Sequence, residues 1–166
     1  YNKKKIIIPF IPKAIIMDFD GVHTNNKFSI NKKGVESVTC SRSDGMGIES
    51  LKKHSSIKLL ILSNEKNIVV SNRAKKLNIE CIQSPKKKVT ILSNWLKQNK
   101  LKFSEVAFIG NDINDLECIE KVGISFCPYD AEIKIKSRVN FILEKIGGDG
   151  VIRELSDIIL SNINHD

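Results

Sequence analysis

The chain has 166 residues, 41% of them hydrophobic, enough to bury one ordinary core and so to predict one domain. No apolar stretch reaches roughly 18 residues, which excludes a membrane-spanning helix. The net charge is +8, yet aromatic residues make up only 6% and the lysines are scattered. That pattern argues against a nucleic-acid interface and for a solvated basic surface that would suit a small anionic substrate.

Residues 1–13 read as a lead-in or linker. The run Lys3-Lys4-Lys5 before Ile6-Ile7-Ile8 faintly imitates a signal peptide, but Pro9, Pro12 and Lys13 interrupt it and no small-residue cleavage site follows. Cys40, Cys81, Cys118 and Cys127 form no C-x-x-C pair, so neither a zinc site nor a disulfide framework is expected. Most lie in apolar stretches, consistent with buried free thiols in a reducing, cytoplasmic setting.

Residues 14–166 read as a single domain. Ala14-Ile15-Ile16-Met17 is a short apolar run of the kind buried on both faces of a parallel sheet, and it ends in Asp18, Asp20 and Gly21. Around the Gly34 turn, Phe28–Ile30 and Val35–Cys40 alternate as a β-hairpin that would project from the sheet. Asp44 is expected to cap a helix reaching about Lys53. Lys58–Ser63 is a second buried strand, followed by a helix carrying Ile68, Val69, Ala74 and Leu77, and then a short strand, Glu80–Ile82. Ser84-Pro85 predicts the start of the next helix, with Lys86-Lys87-Lys88 in its first turn. Val106–Ile109 is a third buried strand. A helix through Leu116, Ile119 and Val122 follows, then short strands at Ile124–Phe126 and Asn140–Ile142, and a last helix from Val151 to about Leu160. Strands alternating with helices predict a doubly wound α/β fold with a parallel sheet.

Open parallel sheets bind ligands beyond the carboxyl ends of their strands. Three buried strands end in polar groups: Asp18 and Asp20, Ser63, and the cluster Asn111, Asp112 and Asp115. Two adjacent acids repel unless a cation lies between them, and oxygen ligands suit a hard divalent ion. Lysine in a first helical turn is disfavoured by the helix dipole, and Lys88 there makes better sense beside an anion such as phosphate.

The order D-x-D-G-V-x-T (Asp18 to Thr24), strand-end Ser63, Lys88 and G-N-D-x-x-D (Gly110 to Asp115) resembles the haloacid dehalogenase superfamily of aspartyl phosphatases over nearly the whole chain. The hairpin and small insertion after the first strand resemble its capless subgroup, which holds 3-deoxy-manno-octulosonate 8-phosphate phosphatases and N-acylneuraminate 9-phosphate phosphatases. Gly147-Gly148-Asp149-Gly150-Val151 resembles the C-terminal segment of that subgroup. The resemblance implies a Rossmann-like fold, a homotetramer assembled through the hairpins, and a Mg²⁺ cofactor.

It also implies roles. Asp18 would be the nucleophile, Asp20 the acid and base, and Ser63, Asn64 and Lys88 the phosphate-binding groups. Asp18, Asp20, Asn111 and Asp112 would hold Mg²⁺, with Asp115 behind them. Asn111 departs from the family, which usually has Asp there. An amide oxygen can ligate Mg²⁺ but brings no charge, so lower metal affinity and turnover are expected. After Ser63 the octulosonate subgroup has Thr-Gly-Arg, where this chain has Asn64-Glu65-Lys66. Glu65, Arg73 and Lys76 resemble the nonulosonate subgroup, with the cations reaching a neighbouring subunit's substrate. The implied activity is hydrolysis of a nine-carbon sugar-acid phosphate. A phosphatase-like assembly domain of a CMP-acylneuraminate synthetase, downstream of a cytidylyltransferase domain, is the first alternative. Asn111 and the Tyr1 start accord with it. An octulosonate 8-phosphate phosphatase is the second. A response-regulator receiver is disfavoured, because its acceptor Asp does not follow the first strand. His23 is read as packed and given no role.

Overall fold

A computed structural model describes residues 6–163. Tyr1 and the Lys3–Lys5 run lie outside the described residues. Six parallel strands form the main sheet: β1 (Ala14–Met17), β4 (Lys58–Ser63), β5 (Glu80–Gln83), β6 (Val106–Ile109), β7 (Ile124–Cys127) and β8 (Phe141–Ile142), in the order β5-β4-β1-β6-β7-β8. Strand β1 lies between β4 and β6, with Met17 level with Ile61 and Ile109. All four β1 residues are buried, as the unbroken apolar run predicts for a strand covered on both faces.

The side-chain period of two sorts each strand between two cores. Ile15, Met17, Ile61, Ala107 and Ile109 face one layer, formed by α1 (Arg42–His54), α2 (Ile68–Leu77) and α6 (Val151–Ile163). Ala14, Ile16, Leu60, Leu62 and Phe108 face the other, formed by α3 (Lys88–Gln98), α4 (Leu116–Lys121) and the short α5 (Ile133–Lys136), which the sequence pattern did not reveal. Trp95 of α3 is buried there and donates Nε1 to Glu80 at 2.8 Å. Helices α1 and α6 pack closely: a Cβ on Gly47 would fall 2.9 Å from Arg153 Cα.

The hairpin is shorter than expected. Strands β2 (Ser29–Ile30) and β3 (Glu36–Ser37) pair antiparallel across a turn at Asn31–Val35, and Gly34 takes φ +78°. Phe28, Ile30 and Val35 are exposed on it. Cys118 and Cys127 are buried, Cys40 and Cys81 half-buried, and all four are free thiols. No helix among the described residues is long and apolar enough to cross a membrane.

Two helix starts differ from expectation. Ser41, not Asp44, caps α1, accepting from Ser43 N at 3.1 Å. Asp44 is buried and accepts from Arg153 N at 2.9 Å, so it serves the start of α6 instead. Helix α3 begins at Lys88, not at Ser84-Pro85. The Asn64 amide donates to the carbonyls of Ser84 and Lys86 at 2.7 and 2.8 Å, holding that segment as a turn. Lys86 therefore precedes the helix, and Lys87 is only its cap residue.

Candidate active site

The carboxyl ends of β1, β4 and β6 meet in a cleft of about 270 Å³ lined by Asp18, Asp20, Ser63, Glu65, Asn111 and Asp112, among others. A larger cleft of about 590 Å³ lies at the opposite, amino ends of the strands, near Lys13 and Lys58, and no carboxylate among the described residues lines it. Asp18 leaves the central strand directly, so the sheet itself fixes its position. The turn after it is pinned by Thr24, whose hydroxyl accepts from Gly21 N and Asn26 N at 3.2 and 3.1 Å. Gly21 has φ +87°, and a Cβ there would fall 1.9 Å from the Asn111 carboxamide, so both conformation and space require glycine.

Lys88 is the cation at the centre. Its Nζ donates to Asp18 Oδ1 at 2.5 Å and to Asp115 Oδ1 at 2.7 Å, with all three side chains buried. Asp115 Oδ2 accepts from Asn111 N at 2.9 Å and Asp112 N at 3.3 Å, which shapes the loop after β6. Asp115 thus braces Lys88 and the Asn111 backbone rather than facing the cleft. Burial opposes the Lys88 charge, but the two carboxylates overcome it and hold the ammonium above its usual range.

Burial and then the Asp115 charge push the Asp18 carboxyl up to about 7, while Lys88 works against them. Asp20 is also raised, first by burial and then by the Glu65 charge. A carboxyl that keeps its proton longer than usual is suited to give it to a leaving group.

The Asn111 carboxamide lies against Asp18 and Asp20. In the orientation that satisfies its neighbours, Nδ2 donates to Asp18 Oδ2 at 2.8 Å and to the Asp20 carbonyl at 2.9 Å. Turned over, it brings three oxygens together, from Asp18, Asp20 and Asn111, and that is a donor set suited to Mg²⁺. The charge balance agrees. Asp18, Asp20, Glu65 and Asp112 line the cleft, and Lys88 is already shared between two carboxylates. A phosphate dianion entering such a cleft needs further positive charge.

The remaining predicted residues divide. Ser63 lines the cleft, its Oγ accepting from Glu65 N at 3.0 Å and leaving the hydroxyl proton for another acceptor. The Asn64 side chain is engaged in the cleft wall, since Nδ2 holds the Ser84 and Lys86 carbonyls and Oδ1 accepts from Asn114 at 3.0 Å. Asp112 turns Oδ1 to Ile113 N at 2.6 Å and lies outside the three-oxygen set. Glu65 Oε1 accepts from Lys66 N and Asn67 N, which ties that oxygen to its own turn. Arg73 and Lys76 are not brought to this cleft. They line a separate groove with Arg42 and Glu36, and Arg73 donates Nη2 to the Ser41 carbonyl at 3.0 Å. Asn26 and Asn114 also line the cleft, and only the Asn114 bridge to Asn64 gives a reason, one that local spacing cannot show.

His23 is buried, stacked on Phe19 with 5.7 Å between ring centroids, and neither ring nitrogen has a partner among the described residues. Burial, helped by Arg73, pushes it down to about 3. Unfolded histidine titrates near 6.5, so below that pH the unfolded state binds the extra proton and stability rises with pH. The contribution is complete above about pH 6.5 and is lost as pH falls toward 3, at about 1.4 kcal/mol per pH unit. His23→Leu is therefore expected to narrow the stability difference between pH 6.5 and pH 5 by about 2 kcal/mol, read from urea unfolding of both proteins.

The chain matches the haloacid dehalogenase-like hydrolase family model over residues 21–155. It is 32% identical to a 3-deoxy-D-manno-octulosonate 8-phosphate phosphatase of Haemophilus influenzae, over 89% of this chain and 82% of that protein. A Moraxella catarrhalis phosphatase of the same name, solved with magnesium, phosphate and KDO, superposes with a TM-score of 0.88 at 30% identity, covering 93% of this chain and 88% of that one. A cobalt-bound H. influenzae structure of the deoxy-D-mannose-octulosonate 8-phosphate phosphatase gives 0.87 at 30% identity, covering 93% and 90%. With the family motif spanning most of the chain and the sheet superposing on these enzymes, the protein belongs to the haloacid dehalogenase-like hydrolases.

Proposed function

We propose that this chain is a Mg²⁺-dependent phosphatase acting on a sugar-acid monophosphate through an aspartyl-phosphate intermediate. The observation that carries the reading is Asp18, delivered by the central strand, lining one cleft with Asp20 and held by the buried Lys88. Asp18 Oδ attacks phosphorus, the bond from phosphorus to the sugar oxygen breaks, and Asp20 gives its proton to the departing alkoxide. Asp20 then takes a proton from the water that attacks phosphorus, releasing phosphate and restoring Asp18. Ser63 donates its hydroxyl to a phosphoryl oxygen, and Lys88 offsets charge that develops there. Asp18, the Asp20 carbonyl and Asn111 would hold Mg²⁺, which supplies positive charge between nucleophile and substrate.

The relatives named above act on an eight-carbon acid, which makes 3-deoxy-octulosonate 8-phosphate the first substrate to test. Glu65 favours a second reading, a nine-carbon N-acylneuraminate or its deaminated analogue carrying a 9-phosphate, because a carboxylate beside the cleft suits sugar hydroxyls. The groove of Arg73 and Lys76 would then meet a neighbouring subunit's substrate. A tetramer assembled through the exposed Phe28, Ile30 and Val35 would enclose a cleft that one chain leaves open. An assembly domain joined to an upstream cytidylyltransferase is the reading that the uncharged Asn111 favours. Phosphate release from the three sugar phosphates, with Mg²⁺ and with EDTA, separates these readings, and sedimentation of the same preparation tests the tetramer. Mg²⁺-dependent release is expected, and the preferred substrate identifies the acid. No release from any substrate, in a tetramer, would leave assembly as the function.

A further inference from the structure

The Asn111 carboxamide touches the same two oxygens, Asp18 Oδ2 and the Asp20 carbonyl, that a cation at this site would use. Its backbone N–H is anchored on Asp115, and Gly21 closes in beside it, so the side chain stays in place while its two ends exchange by rotation. With NH₂ inward, both neighbouring oxygens are satisfied by 2.8 and 2.9 Å hydrogen bonds. With oxygen inward, the three oxygens repel unless a cation lies among them.

We propose that Asn111 is a clasp on the cation site: its NH₂ holds Asp18 and the Asp20 carbonyl together when no cation is bound, and a divalent cation enters by displacing those two hydrogen bonds as the amide turns over. The clasp rests on the divalent-cation reading given above. Two consequences distinguish this chain from one with a carboxylate here. The cation-free site is internally satisfied, so it is stable without metal. Cation binding is weakened twice, by the two hydrogen bonds lost and by the missing ligand charge.

The test compares the EDTA-stripped protein with Asn111→Asp. Calorimetric titration with Mg²⁺ is expected to show binding at least about tenfold tighter in the variant, through the added ligand charge. Without Mg²⁺ the variant is expected to melt about 5 °C lower, because a carboxylate replaces the donor between two oxygens. Saturating Mg²⁺ is expected to narrow or reverse that gap. Equal Mg²⁺ affinity, or equal cation-free melting, overturns the clasp and leaves the phosphatase reading standing. No Mg²⁺ binding by either protein overturns the cation reading itself. The parent protein supplies a check that does not depend on the variant's folding. Its Asn111 side-chain NH₂ resonances are expected to exchange slowly with water without Mg²⁺ and to shift when Mg²⁺ is added. Fast exchange in the cation-free protein overturns the clasp.

Discussion

Asp18→Asn is expected to lower Mg²⁺-dependent phosphate release by on the order of 10⁴-fold or more, as removal of a covalent nucleophile does elsewhere. The variant keeps the shape of the side chain but replaces the carboxylate proposed as nucleophile with an amide that cannot form the acyl phosphate. Folding should survive, since Lys88 retains Asp115 at 2.7 Å as its ion partner and the apolar β1 is untouched. The expected result is therefore a folded, inactive protein, read by phosphate release together with circular dichroism. Residual turnover within about tenfold of the parent would assign the attack to another group and dismiss the aspartyl-phosphate mechanism.

Lys88→Met is expected to have the largest effect on stability. It removes the ammonium that stands between Asp18 and Asp115, at 2.5 and 2.7 Å, and leaves two buried carboxylates facing each other. Breaking a buried pair by removing one partner costs about 3–5 kcal/mol. The methionine fills much of the volume, so the loss is electrostatic rather than a cavity. The double variant Lys88→Met with Asp115→Asn should recover a large part of that loss, because one of the stranded charges goes with it. Urea unfolding at pH 7.5 measures both. A single variant as stable as the parent would show that the triad contributes little, and no recovery in the double variant would locate the cost elsewhere. Activity should stay low in both, since the ammonium proposed to offset phosphoryl charge is absent.

Much of the fold and the carboxylates that meet in the cleft were legible along the chain because the information is local. A strand buried on both faces appears as a continuous apolar run, and the residues that leave it, Asp18, Asp20 and Ser63, are its immediate neighbours in sequence. The doubly wound sheet follows from the alternation of such runs with helical patterns, and the sheet order brings the three strand ends to one cleft.

What the chain does not spell out depends on partners far away in sequence. Asp44 has the local signature of a helix cap, yet it serves Arg153 N, 109 residues on, because Ser41 takes the start of α1 and a buried carboxylate must find donors. Ser84-Pro85 looks like a helix start, but Asn64, from the end of β4, holds its carbonyls and delays α3 to Lys88. Arg73 has no partner that local spacing shows, yet its guanidinium donates to the Ser41 carbonyl, 32 residues back, beside a groove separate from the cleft. Asn111 stands in the motif as a neutral substitution, and only its contacts with Asp18 and the Asp20 carbonyl give it a task. In each case a polar group carried into the interior must be paired, and the chain's return path, not its local pattern, supplies the partner.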